Sequence, residues 1–281
     1  MLLADSPRLW AYTGGRDFSG DLPCLVFIHG AQLDHSVWAM QSRWFAHHGH
    51  AVLALDLPGH GRSEGPLASS VEALAEALAA PIARTTPQRL LIVGHSLGSL
   101  IALELARRLP HQTAGVALLG TAFPMKVSPA LLEASRANPQ EAIESIDVWS
   151  HSPGVSAFNR RPSAPGPGFS IPGQSRRLMM WTARRHGPEV LPTDFAACNA
   201  YEGGLQAAAS LTCPALFVLG EADLMTPPRA AQGLIEACRQ ARVARIAGAG
   251  HEMMSEASSA TLAALRDFSR HAFSQFSTLE V

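Results

Sequence analysis

Five residues, Gly94-His95-Ser96-Leu97-Gly98, constrain this chain more than any other stretch. They join the apolar run Leu90-Leu91-Ile92-Val93 to a helical pattern over Leu97 to Leu109. A short, continuous apolar run of this kind reads as a fully buried strand. Beyond it, Leu97, Ile101 and Leu105 recur at spacing four, with Leu100 and Leu103 beside them, which gives the next segment one apolar face. A strand that turns this sharply into a helix leaves no room for side chains two positions either side of the apex, which is where the glycines stand. The serine at the apex is strained, with its hydroxyl exposed. The pattern also fits an ordinary glycine-rich turn, but the strand before and the helix after nominate Ser96 as a nucleophile.

Other apolar runs recur at Cys24 to His29, Ala51 to Asp56, Val116 to Leu119 and Ala215 to Gly220, with a weaker one at Val243 to Ile246. Between most of them lie helical patterns: Ser70 to Ala83, Leu97 to Leu109 and Arg229 to Cys238, with a last one at Ser258 to His271. Strands alternating with helices predict an α/β fold, a doubly wound and mostly parallel sheet with its chemistry at the carboxyl ends of the strands. Edge strands running antiparallel are expected before Leu22. The alternation breaks between Gly120 and about Leu211, too long a gap for a βα connection. We therefore expect a core of residues 1–120 and 212–281 carrying an inserted subdomain, 121–211, with helices at Pro129 to Trp149, Arg176 to His186 and Thr193 to Ala209. The Pro- and Gly-rich stretch from Ser152 to Gln174 reads as a flexible loop.

A serine hydroxyl is a weak nucleophile at neutral pH and needs a base, itself oriented by a carboxylate. Asp223, in Gly220-Glu221-Ala222-Asp223, and His251, in Gly248-Ala249-Gly250-His251, each follow an apolar run and fall at the same sheet edge as Ser96. Singly, each would pass for a turn or capping residue. Jointly, in the order Ser, Asp, His, they form a candidate catalytic triad, with Glu221 as the nearest substitute acid. Acyl transfer also needs donors to a developing oxyanion, and the backbone amides of Leu97 and of Ala31, just after His29-Gly30, are the candidates.

Composition bounds the partners. Lys plus Arg number 22 against 23 Asp plus Glu, so no overall field draws the chain to nucleic acid or an acidic membrane surface. No run of 18 apolar residues and no basic-then-apolar leader is present, so a cytoplasmic location is the default. Cys24, Cys198, Cys213 and Cys238 are scattered without C-x-x-C spacing, and His47, His48 and His50 lack a carboxylate or thiol at ligand spacing. The expectation is no disulfide, no metal and no cofactor. His60 and Arg62, after the Ala51 to Asp56 run, are read as part of a glycine-supported loop.

The combination of His29-Gly30, Asp56-Leu57-Pro58-Gly59-His60-Gly61-Arg62-Ser63, the turn around Ser96, Gly220-Glu221-Ala222-Asp223 and Gly248-Ala249-Gly250-His251 resembles the α/β-hydrolase superfamily, in its serine carboxylesterase-like branch. The resemblance implies that 121–211 is a helical cap over the active site, that Ser96, Asp223 and His251 are catalytic, and that the substrate is a small-molecule ester. Serine rather than aspartate at the turn departs from epoxide hydrolases and dehalogenases, and His95 departs from the asparagine usual in carbon–carbon bond hydrolases. A carbon–carbon hydrolase or another acyl-transfer enzyme using the same triad, or a ligand-binding member without turnover, remain the alternatives. Gly30, Trp38, Phe123, Met125, Trp181 and Met225 are candidate substrate contacts. Some esterases of this branch act on carrier-protein-linked esters and hold the acidic carrier on cap arginines. Here Arg160, Arg161, Arg176, Arg177, Arg184 and Arg185 stand between His151 and Gly187 with no acidic residue among them, a candidate site for an acidic carrier protein or for a carboxylate or phosphate on a small substrate, or simply a solvated face.

Overall fold

The apolar runs become neighbours in one eight-stranded sheet. The computed structural model describes residues 1–86, 88–155 and 171–277. Its strands are β1 (Leu2–Asp5), β2 (Arg8–Tyr12), β3 (Cys24–Ile28), β4 (Ala51–Leu55), β5 (Leu90–His95), β6 (Thr113–Leu119), β7 (Ala215–Gly220) and β8 (Ala241–Ile246). They lie in the order β1-β2-β4-β3-β5-β6-β7-β8. From β4 to β8 every pairing is parallel, and the β1–β2 hairpin adds antiparallel to β4.

Every residue of β3 to β7 is buried, which is why those strands read as unbroken apolar runs and not as alternating ones. Alternation survives in three dimensions. Val26 and Ile28 face a core layer built with Leu74, Leu78, Ile101 and Leu105, whereas Leu25 and Phe27 face a second layer with Phe45, Leu265 and Phe268. The first layer belongs to α2 (Val71–Thr85) and α3 (Leu97–Arg108), the second to α1 (Ala39–Ala46) and the terminal α9 (Ser258–Ser277). β8 is the outer strand, and it carries exposed Arg242 and Arg245, charges of the kind that discourage edge-to-edge pairing.

Between β6 and β7 the structure has α4 (Pro129–Ala137), α5 (Pro139–Trp149), α6 (Ile171–His186), α7 (Val190–Ala200) and α8 (Gly204–Ser210). The single helix expected over Pro129 to Trp149 is two, because Pro139 cannot continue the first and Asn138 caps the second, accepting from Glu141 N. Thr193 to Ala209 likewise divides at Tyr201-Glu202-Gly203. Leu131, Ile143, Ile146, Met179, Leu191 and Phe195 make a separate apolar cluster with Leu33, while Cys198, Tyr201, Ala207 and Ala208 join the main core. Arg160, Arg161 and most of the Pro- and Gly-rich stretch lie outside the described residues. Among the described residues, no helix is long and apolar enough to cross a membrane.

The strand order fixes where a ligand sits. From β3 the chain moves one way to β4 and then returns to the other side as β5, so a crevice opens beyond the carboxyl ends of β3 and β5. Gly30 and Ala31 follow the first of these strands, and Ser96 follows the second.

Candidate active site

Ser96 has φ 53° and ψ −121°, a left-handed conformation that a residue with a Cβ adopts only under strain. Its surroundings enforce that geometry. Ser96 N donates to Leu119 O at 3.0 Å on neighbouring β6, and its carbonyl accepts from Ser99 N at 2.8 Å. A Cβ on Gly94 would overlap the Gly98 carbonyl, and one on Gly98 would overlap the carbonyls of Ile28 and His29. Both glycines are therefore demanded by contact between the turn, the helix and β3.

The loops after β7 and β8 bring together Asp223 and His251, the candidate acid and base. His251 Nδ1 donates to Asp223 Oδ2 at 2.9 Å, both side chains being buried. Asp223 also accepts from Met225 N and Thr226 N at 2.8 Å each and from Thr226 Oγ1 at 2.7 Å. Burial alone would raise its carboxyl; the charge of His251 and these donors overcome that and hold it down at about 2. For His251, burial pulls downward, but the carboxylate beside it wins and raises the imidazole above its ordinary value. With Nδ1 committed to Asp223, Nε2 is the nitrogen left to accept a proton. Glu221, the substitute acid, is exposed.

The loop after β3 is held from within. His29 Nδ1 donates to Gly30 O at 2.8 Å, and its Nε2 accepts from Leu57 N at 3.1 Å, which fixes a neutral tautomer whose pKa burial pushes down to about 4. A peptide unit points its N–H opposite to its C=O, so anchoring the Gly30 carbonyl turns the Ala31 N–H the other way. Leu97 opens α3, so its N–H is one of the first-turn donors without an intrahelical acceptor.

These parts meet at a small cavity of about 40 Å³ lined by Gly30, Ala31, Ser96, Met225, His251 and Glu252, with Leu191 and Phe195 as its apolar wall. Burial raises the Glu252 carboxyl above its usual range. The segment between β6 and β7 touches the site at two loops. Ser150 O accepts from both His251 N, at 2.8 Å, and Glu252 N, at 3.1 Å, while Asp194 Oδ2 accepts from Gln32 N at 2.8 Å. Neither contact had a signal in the sequence, since Ser150 acts through its backbone and Asp194 lies in a mostly apolar helix.

Four candidate substrate contacts stand elsewhere. Trp38 is fully buried behind the sheet against Phe27, where its size fills the second core layer. Phe123 packs on Tyr201 and close to Gly204, and Met125 belongs to the first core layer. Trp181 is 54% exposed and lines an outer groove with Trp10, Arg8, Arg62 and Arg185. Gly30 and Met225 do line the cavity. Asp34, His35 and Asp56 gather metal-ligating atom types within 4.8 Å of one another. Their oxygens already serve protein donors: Asp56 accepts from His35 N, His35 Nδ1 and Arg62 N, and Asp34 from Ser36 N. Those from His35 tie the turn after β3 to the loop after β4.

Residues 25–265 match the model of the alpha/beta hydrolase family, and the chain belongs to that family. Among curated relatives, the chain is 40% identical over 104 residues to the pimeloyl-[acyl-carrier protein] methyl ester esterase of Sodalis glossinidius, which is 37% of this chain and 36% of that protein. The chain thus spans about a third of the length of that relative. It is 24% identical over 246 residues to the protein of the same name from Nitrosospira multiformis, covering 83% of this chain and 89% of the other. Among solved structures, the enol-lactonase from Burkholderia xenovorans LB400 shares the fold, with a TM-score of 0.78 at 23% identity over 94% of this chain and 97% of that one.

Proposed function

We propose that this protein is a serine hydrolase that cleaves carboxylic esters of small molecules through an acyl-enzyme on Ser96. Ser96 Oγ attacks the ester carbonyl while His251 Nε2 takes its proton. Asp223 holds the imidazole and stabilises the imidazolium, and the amides of Ala31 and Leu97 receive the oxyanion. The tetrahedral adduct collapses as His251 returns the proton to the leaving alkoxide. Water then attacks the acyl-enzyme by the same route and releases the acid. The observation that carries this reading is the strained Ser96 sharing one cavity with a His251 whose Nδ1 is bound to Asp223. Residues 121–211 act in this reading as the cap, contributing Leu191 and Phe195 to the acyl wall.

The test is hydrolysis of p-nitrophenyl esters from acetate to decanoate, with Ser96→Ala as control. Turnover lost in the variant supports the reading; no turnover by the wild type on any ester would transfer it to the carbon–carbon hydrolase or binding-protein alternatives.

The name of the Sodalis relative and the basic face of α6 support a finer reading, in which the ester is presented on an acidic carrier protein held by Arg176, Arg177, Arg184 and Arg185. Reversing those four charges would then raise KM for a carrier-linked ester and spare a small one. Equal rates on both substrates would dismiss the carrier.

A further inference from the structure

Three buried polar side chains outside the triad converge on the loop that carries Ala31. Asp194 of α7, 2% exposed, accepts at Oδ2 from Gln32 N at 2.8 Å and from His60 Nε2 at 3.0 Å. His60, 1% exposed, directs its other ring nitrogen, Nδ1, at Pro58 O at 3.1 Å. Both His60 nitrogens thus face acceptors, so both donate, and the ring is an imidazolium paired with the Asp194 carboxylate. Gln32 is itself unusual: it is one of two non-glycine residues with positive φ among the described residues, at 55°, and the other is Ser96. Its side-chain Nε2 donates to Met179 O of α6 at 3.0 Å.

The geometry points to Asp194 as a positioning residue for the oxyanion donor, a role that rests on the esterase reading above. The Ala31 amide sits between two anchors. On one side His29 holds the Gly30 carbonyl, and on the other Asp194 holds the Gln32 N–H and with it a backbone conformation a glutamine would not otherwise keep. The first anchor comes from β3 itself, whereas the second comes from the segment inserted between β6 and β7. The Ala31 donor is therefore aligned only when α7 is seated, and His60 supplies the positive charge that lets a carboxylate be buried there. A single oxygen of Asp194 couples the seating of the insertion to the chemistry of the core.

The test compares Asp194→Leu, which is similar in size and leaves no acceptor for Gln32 N, with wild type by active-site titration, ester kinetics and inhibition by an alkyl trifluoromethyl ketone. That ketone reports on the oxyanion donors, because Ser96 Oγ bonds to its carbonyl carbon, the carbonyl π electrons move onto oxygen as an oxyanion, and the hydroxyl proton passes to His251. Losing a fully aligned donor costs about 100- to 1,000-fold, and a misaligned one is expected to lower kcat per titrated site at least tenfold. The ketone Ki should rise by the same factor while KM stays within about twofold. A folded Asp194→Leu protein with unchanged kcat per site and unchanged Ki overturns the proposal, as does a loss explained by fewer titratable sites. If Asp194→Leu does not fold, His60→Gln, which removes the cation but keeps a donor, must show the same paired change or the proposal falls. A wild type that neither turns over esters nor binds the ketone instead refutes the esterase reading itself.

Discussion

Thr226 donates its hydroxyl to Asp223 Oδ2 at 2.7 Å, so the carboxylate oxygen that orients His251 is itself oriented. With two backbone donors on Oδ1, Asp223 has every reason to stay ionised, and its value of about 2 leaves it charged throughout the working range of such an enzyme. The pH dependence of catalysis should then belong to His251.

Because His251 must be neutral to act as base and its value lies above 6.5, kcat/KM is predicted to rise with pH through a midpoint above 6.5. Asp223→Asn removes the charge that raises it and the acceptor that fixes its tautomer. The variant should lose about 10³- to 10⁴-fold in kcat, and any residual activity should show its acid limb at lower pH. An unshifted midpoint in the variant would assign the titration to another group.

The strain at Ser96 has a thermodynamic signature. Glycine tolerates φ 53° where serine does not, so Ser96→Gly is expected to abolish activity and raise stability by about 1 kcal/mol, read from denaturant midpoints. Ser96→Ala keeps a Cβ and should show no such gain. Equal stabilities of the two variants would mean that the turn carries no strain.

Acid should destabilise the fold through His29. Its folded value of about 4 lies below the unfolded 6.5, so the unfolded chain binds the proton first, and the stability is present above pH 6.5 and lost as pH falls toward 4. A difference of that size is worth on the order of 3 kcal/mol. Glu252, raised by burial, acts in the opposite direction, so the comparison that isolates His29 is with His29→Gln. The melting temperature of the variant should fall less steeply than that of the wild type between pH 6.5 and 4; parallel slopes would remove His29 from the account.

The cavity at Ser96 suits a short acyl group. Leu191 and Phe195 wall it off, so chains that must pass them are expected to react more slowly and rates should fall from acetate toward decanoate. Phe195→Ala should move the optimum to longer chains. A wild type that already prefers decanoate would show that the wall yields to substrate.

Much of this architecture is legible in the sequence because burial on both faces writes itself as uninterrupted apolar runs, and because Gly94 and Gly98 are required by backbone contact. That Ser96, Asp223 and His251 fall at one sheet edge could be expected for the same reason, since each lies on the loop after a buried or edge strand. What could not be read depends on contacts distant in sequence. Trp38 looks like a pocket residue by its position after the oxyanion segment, but its own short helix turns it into the core beside Phe27. Asp194 and His60 are 134 residues apart, and nothing local distinguishes their charge pair from a capping aspartate and a turn histidine. Ser150 acts through its carbonyl, which no side-chain pattern encodes.

Ser96 as the nucleophile is tested by intact-protein and peptide mass spectrometry after reaction with an alkyl fluorophosphonate. A single adduct is expected on the peptide containing Ser96, abolished in Ser96→Ala and strongly slowed in His251→Gln. A folded wild-type protein left unlabelled, or a label retained in Ser96→Ala, would contradict that assignment.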